Sequence, residues 1–237
     1  MQDLESISER IRQSFDARTQ ARDQVLGQTR LLTRHAAHAI RAIHRSENSL
    51  AQEHLGEALK LVVAIKAGLA NFPDLYYAGY TQDALKEFSE ASITVALIEN
   101  RPLPGPEDLD VEYATYLNGL AEVTGELRRR CLDILRQGYS AEAERLLSCM
   151  DDIYAVLVTL DYPDAITNGL RRQTDLVRGI VERTRGDLTI SLREQQLEQS
   201  MARLSGLLSS REALSSREVL SSREVAQADP HADDPSL

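Results

Sequence analysis

The chain has no tryptophan, and only 5% of its 237 residues are aromatic. Glycine (12) and proline (7) are scarce as well. So few turn formers argue against a fold of many short strands. No apolar run approaches the roughly 20 residues needed to span a bilayer. The first residues, MQDLESISERIRQSFDAR, lack the apolar centre of a secretory signal. A cytoplasmic chain without a membrane partner is therefore expected. The two cysteines, Cys131 and Cys149, show no CxxC spacing, which fits reduced core thiols in that compartment. The motifs GxxxxGK[ST], HExxH, GxSxG and GxGxxG are all missing. Their absence argues against an ordinary kinase, zinc protease or serine hydrolase.

What remains is rich in Ala, Leu, Glu, Gln and Arg, with 42% hydrophobic and 27% charged residues. That composition favours helices packed around a sizeable core. Seven helices are expected, the first from about residue 4 to 45 and the second from 50 to 70. The third covers 81–100 and stops at NRPLPGPED, through which no helix continues. Asp108 or Asp110 is a possible cap for the fourth, which ends near Gly138, and Ser140 caps the fifth. DYPD separates the fifth from a sixth (165–184), and a seventh follows Gly186 from Asp187 to about 208. One domain, 1–208, is expected. The hexads SSREAL, SSREVL and SSREVA then open a low-complexity tail, 209–237, read as a frayed helical extension running into disorder.

The net charge of −10 argues against a uniformly basic surface, but the cations are unevenly placed. Lysine occurs only at 60, 66 and 86, and six arginines against one acid lie between Arg18 and Arg45. Advanced 100° per residue, Arg30, Arg34, His38, Arg41 and Arg45 fall within about an 80° arc. Such a strip suits a phosphate track; a solvated face or a subunit contact fits it equally. His35 and His38, three apart inside it, read as a polar contact before a metal pair. Phe72, Tyr76, Tyr77 and Tyr80 could stack on unpaired bases, although packing at an interhelix corner is the more common use.

Two carboxylate pairs stand out. Glu122 and Glu126, in YLNGLAEVTGELRRRC, lie one turn apart opposite the apolar face of the fourth helix. Glu87 and Glu90 open onto ASITVALI, a stretch apolar nearly all round, so burial leaves them in need of cations, protons or water. Were the pairs to converge, four carboxylates without His or Cys would suit Mg²⁺ or Mn²⁺ rather than Zn²⁺. The alternative is a pair of solvated faces, with Glu126 bonded to Arg129 or Arg130.

Several of these stretches resemble the translin/TRAX family, and its TRAX side more closely. GLAEVTGELRRRC is similar to the segment V-A-D-L-T-G-E-L-x-R-x-C, and KEFSEA to Q-E-Y-V-E-A. FPDLYY resembles F-P-x-x-x-Y-Y with one residue fewer; SFDAR and the HR before the first break are TRAX-like too. The resemblance runs from about Ser14 to Ser200. It implies an all-α, heptahelical bundle assembled into octameric hollow shells that bind single-stranded RNA or DNA. It further implies a Mg²⁺-dependent endoribonuclease whose catalytic, metal-holding acids fall on Glu87, Glu90, Glu122 and Glu126 and face the chamber. One position departs: TRAX has Asp where this chain has Glu122.

The expectation is thus a Mg²⁺- or Mn²⁺-dependent endoribonuclease on single-stranded RNA, assembled as a homo-octamer, with the arginine strip guiding the backbone. A translin-like module that binds single strands without cutting them is the alternative, and a partner scaffold a third.

Overall fold

The computed structural model describes residues 2–227, with side chains from Asp3 to Arg211. Among them the secondary structure is entirely helical, and the all-α expectation holds. In chain order the helices are α1 (Gln2–His44), α2 (Asn48–Leu69), α3 (Pro73–Tyr76), α4 (Gly79–Ile98), α5 (Pro106–Leu109), α6 (Tyr113–Leu135), α7 (Ala141–Leu157), α8 (Asp164–Thr167) and α9 (Leu170–Gln227). None of the described helices is long and apolar enough to cross a membrane.

Two compact units are distinguished, residues 1–188 and those from Thr189 on. In the first, α1 packs on α2 and α4, α4 on α6, and α6 on α7. The core they enclose includes Leu32, Ile65, Leu85, Ile93, Leu127 and Met150, all fully buried. Each such side chain contributes about 1.5–3 kcal/mol by leaving water. Helix α4 is the centre: Ala91 through Ala96 are buried without a break, as the apolar sequence there requires. The second unit is helical to Gln227 and exposes Ile190, Leu197, Met201, Leu204 and Leu208. Helix α9 thus carries the hexads, and residues 228–237 of the expected tail lie outside the described residues.

The described residues form nine helices rather than seven: α3, α5 and α8, of four residues each, are additional to the expected set, and two of the expected long helices are merged. The sixth and seventh expected helices are one, because Gly186 does not interrupt α9. A mid-helix glycine costs only about 1 kcal/mol against alanine. Asp187, read as the start of a new helix, instead pairs with Arg128 of α6 at 2.8 Å. Neither Asp108 nor Asp110 caps α6, which begins after Glu112. Asp108 accepts from the Gly105 amide at 2.8 Å, and Asp110 ends α5 in a left-handed conformation. Ser140 does cap α7, accepting from the Glu142 amide at 3.2 Å.

One contact sets the distance between α4 and α6. A Cβ on Gly119 would lie 2.9 Å from Ser89 Cβ, 3.0 Å from Lys86 O and 3.1 Å from Glu90 N. Two of those atoms are backbone and cannot turn aside. The missing side chain lets the helices touch beside Lys86 and Glu90. Gly125, two turns further along, has open space around it. Gly119→Ala is expected to lower unfolding free energy by about 1–3 kcal/mol through overpacking. Gly125→Ala should raise it by up to about 1 kcal/mol through helix propensity. Urea denaturation of both variants is the check, and a stabilised Gly119→Ala would contradict the contact.

Candidate metal centre

Their spacing puts Glu87 and Glu90 on one face of α4, and Glu122 and Glu126 one turn apart on α6. The approach at Gly119 turns these faces toward each other. Glu87, Glu90 and Glu122 each offer an oxygen within 4.8 Å of the others. Glu126 stands outside that trio: its Oε2 accepts from Nε2 of His44, at the end of α1, at 2.6 Å, and lies 3.6 Å from Arg129.

Two ionised carboxylates 4.8 Å apart repel by about 3–4 kcal/mol at an effective dielectric of 20. Three such pairs would rival the whole stability of a typical domain, 5–15 kcal/mol, so the trio cannot stay fully ionised without a counter-charge. Two responses are visible. Glu90 is pushed up to about 8, first by burial and then by the charges of Glu122, Glu87 and Glu126. Glu87 is also raised, chiefly by burial, against the pull of Lys86.

The second response is Lys86 itself, whose Nζ lies 2.7 Å from Glu122 and 3.7 Å from Glu87. Burial works against its charge, but the bond to Glu122 and the neighbouring carboxylates outweigh it and raise its pKa. Glu126 runs the other way. The His44 hydrogen bond holds its carboxyl below the usual range, opposed by burial and assisted by Arg129.

The donor set fits a hard divalent cation: three carboxylate oxygens converge, and one of their carboxyls is raised by burial and by its acidic neighbours. All-oxygen ligation of this kind suits Mg²⁺ or Mn²⁺. Metal would replace the proton on Glu90 and offset the charge that Lys86 now balances.

The other candidate residues lie elsewhere. Arg30, Arg34 and Arg41 on α1 and Arg45 just past its end are exposed, and Arg45 shares a cleft with His44. His38 sets its ring edge-on to His54 at 5.0 Å, and His35 Nδ1 lies 3.2 Å from His54 Nδ1. His35 thus has a polar contact and His38 a ring contact, both with His54 of α2. Tyr76 is buried, Phe72 and Tyr80 pack against the core, and Tyr77 remains exposed. Packing is the main use of that aromatic group.

Sequence reasoning missed Lys86, His44 and Gly119. Lys86 stands next to Glu87 in KEFSE, a visible hint. His44 is 82 residues from Glu126, and no local pattern links them.

No family model matches the chain. Over 185 residues, 77% of this chain and 82% of the other, it is 33% identical to an uncharacterized protein of Methanocaldococcus jannaschii. It is similar in structure to AfC3PO in a complex with duplex RNA, at a TM-score of 0.75 and 32% identity. That match covers 79% of this chain and 97% of the other. Apo-NeC3PO shares the fold, with a TM-score of 0.71 at 20% identity over 77% of this chain and 96% of that one.

A pH dependence follows from these groups. Folded, Glu90 keeps its proton to about pH 8, whereas the ordinary value is 4.5. Between those values the folded state binds the extra proton, so stability falls as pH rises through the window. Glu126 has the opposite sign: its contribution is present above the ordinary carboxylate range and is lost as pH falls through its lowered folded value. In metal-free urea titrations, Glu90→Gln should flatten the decline between about pH 5 and 8. A decline of unchanged steepness in the variant would contradict the assignment.

Proposed function

The chain belongs to the translin family, and on that premise we propose that it is a metal-dependent endoribonuclease acting on single-stranded RNA. The observation that carries the reading is the meeting of Glu87, Glu90 and Glu122 within 4.8 Å, from two helices. These three would hold Mg²⁺ or Mn²⁺. When bound, such an ion supplies Lewis acidity toward a phosphodiester oxygen and acidifies the attacking water.

The protein's own groups have distinct tasks. Glu126, kept ionised by His44 Nε2, is the proton acceptor beside the trio. His44 is buried and fixed against Glu126, so it orients that carboxylate and stabilises its ionised form. Lys86 balances the carboxylates of Glu122 and Glu87. Arg41 and Arg45, exposed toward the end of α1, offer planar donors to the backbone phosphates. RNA as the substrate class is supported by the relative that was captured with it. A homo-octameric shell enclosing the acids is the assembly that goes with this reading.

A second reading, binding without cleavage, is favoured by Lys86. Its ammonium already occupies the space between Glu122 and Glu87 and could stand where the metal would. Single-stranded RNA or DNA would then be retained in a salt-sensitive way, with no products.

Labelled single-stranded and duplex RNA, incubated with Mg²⁺ or Mn²⁺, separate the two readings. Cleavage of the single strand is expected, reduced at least about 100-fold in Glu126→Ala and in Glu90→Gln. Absence of products at saturating metal, or equal cutting by wild type and variants, would exclude the nuclease. Light scattering should give eight chains per particle, and a monomer at micromolar concentration would remove the shell.

A further inference from the structure

Beside the acids, on the far side of His44, lies a polar cleft of about 650 Å³. One wall is His44, Arg45 and Ser46, from the end of α1; the other is Arg130, Arg136 and Gln137, from the end of α6. Asp133 is the single carboxylate among its lining residues. Among the described residues no carboxylate forms an ion pair with Arg45, Arg130 or Arg136. A protein of net charge −10 has thus gathered three guanidiniums here and left them without protein counter-ions.

Two buried nitrogens of the cleft also lack partners. The His44 imidazole is 3% exposed; Nε2 is committed to Glu126 at 2.6 Å, and Nδ1 has no hydrogen bond. Arg130 donates weakly to the His44 carbonyl, at 3.3 Å, and its Nε is buried and unbonded. Buried polar groups are normally satisfied, and leaving one unmet is costly. A tetrahedral anion answers the shortage at Arg130, since its oxygens match the guanidinium fork and accept from several donors at once.

We propose that this cleft is a phosphate-binding subsite, holding one phosphate of a nucleic-acid strand next to the acidic centre. His44 joins the two places, because one of its nitrogens contacts Glu126 and the ring lines the cleft. The exposed arginines of α1 run down to the same point, ending in Arg45. The proposal rests on the nucleic-acid part of the reading above for the strand alone. It requires neither metal nor cleavage.

The test uses the full chain in EDTA, with fluorescence anisotropy of a labelled oligoribonucleotide. Arg45 and Arg136 are exposed, so the double variant Arg45→Gln/Arg136→Gln should fold. Its affinity is expected to fall at least about tenfold, and its salt slope by about two. The control is Arg171→Gln/Arg172→Gln, which removes the same charge from exposed positions on α9 and should bind as wild type does. Inorganic phosphate should compete with the oligonucleotide more strongly than chloride at equal ionic strength. Oligonucleotides with a 5′-phosphate or a 5′-hydroxyl tell the sources apart: a difference assigns the terminal phosphate, and equality assigns an internal phosphodiester. Equal binding by both double variants, whether unchanged or equally weakened, overturns the subsite. Loss of cleavage with this binding pattern intact would overturn the nuclease and leave the subsite standing.

Discussion

Repulsion among Glu87, Glu90 and Glu122 is the constraint around which this part of the protein is arranged. Three carboxyls within 4.8 Å of one another cannot all ionise on their own. The fold nevertheless brings them together, by seating Gly119 directly on the backbone of α4. The close helix contact creates the electrostatic cost, and the proton on Glu90 and the ammonium of Lys86 offset it. Both offsets are of a kind that a divalent cation could replace.

Glu126 completes a different balance. Its charge is one of those that raise Glu90, yet its own carboxyl is lowered because His44 and Arg129 face it from the other side. Within two turns of α6, one carboxyl is lowered by the His44 hydrogen bond and by Arg129, while a neighbour across the helix contact is raised by burial and by the surrounding acids. Divergent environments for adjacent acids are what a site needs to assign separate proton-holding roles. Past His44 the sign of the surface reverses, and arginines replace glutamates. A polyanion meeting this face finds cations beside the acids, which is the order that lets a charged strand approach a negatively charged centre.

Much of the scaffold was legible in the sequence. The helical class followed from scarce glycine and proline, and the burial of α4 from ASITVALI. The cap of α7 followed from Ser140. Local rules carry that far because helix propensity, periodicity and capping act over a few residues. They misread Gly186 and Asp187 because a glycine's small cost was overridden by packing, and the aspartate's partner, Arg128, lies on another helix. Of the candidate centre, the four glutamates were readable from spacing and family resemblance. Lys86, His44 and Gly119 were not.

The sequence by itself determined which residues share a helix face, since that depends only on the period of 3.6. It thereby settled that two acid pairs exist and that an arginine strip lies along α1. Tertiary structure alone decided that three of the acids meet, that the fourth turns to a histidine 82 residues away, and that Lys86 sits among them. Those facts depend on the distance and rotation between helices. Side-chain volume at the crossing sets both, and here the absence of a single Cβ brings α4 and α6 into contact.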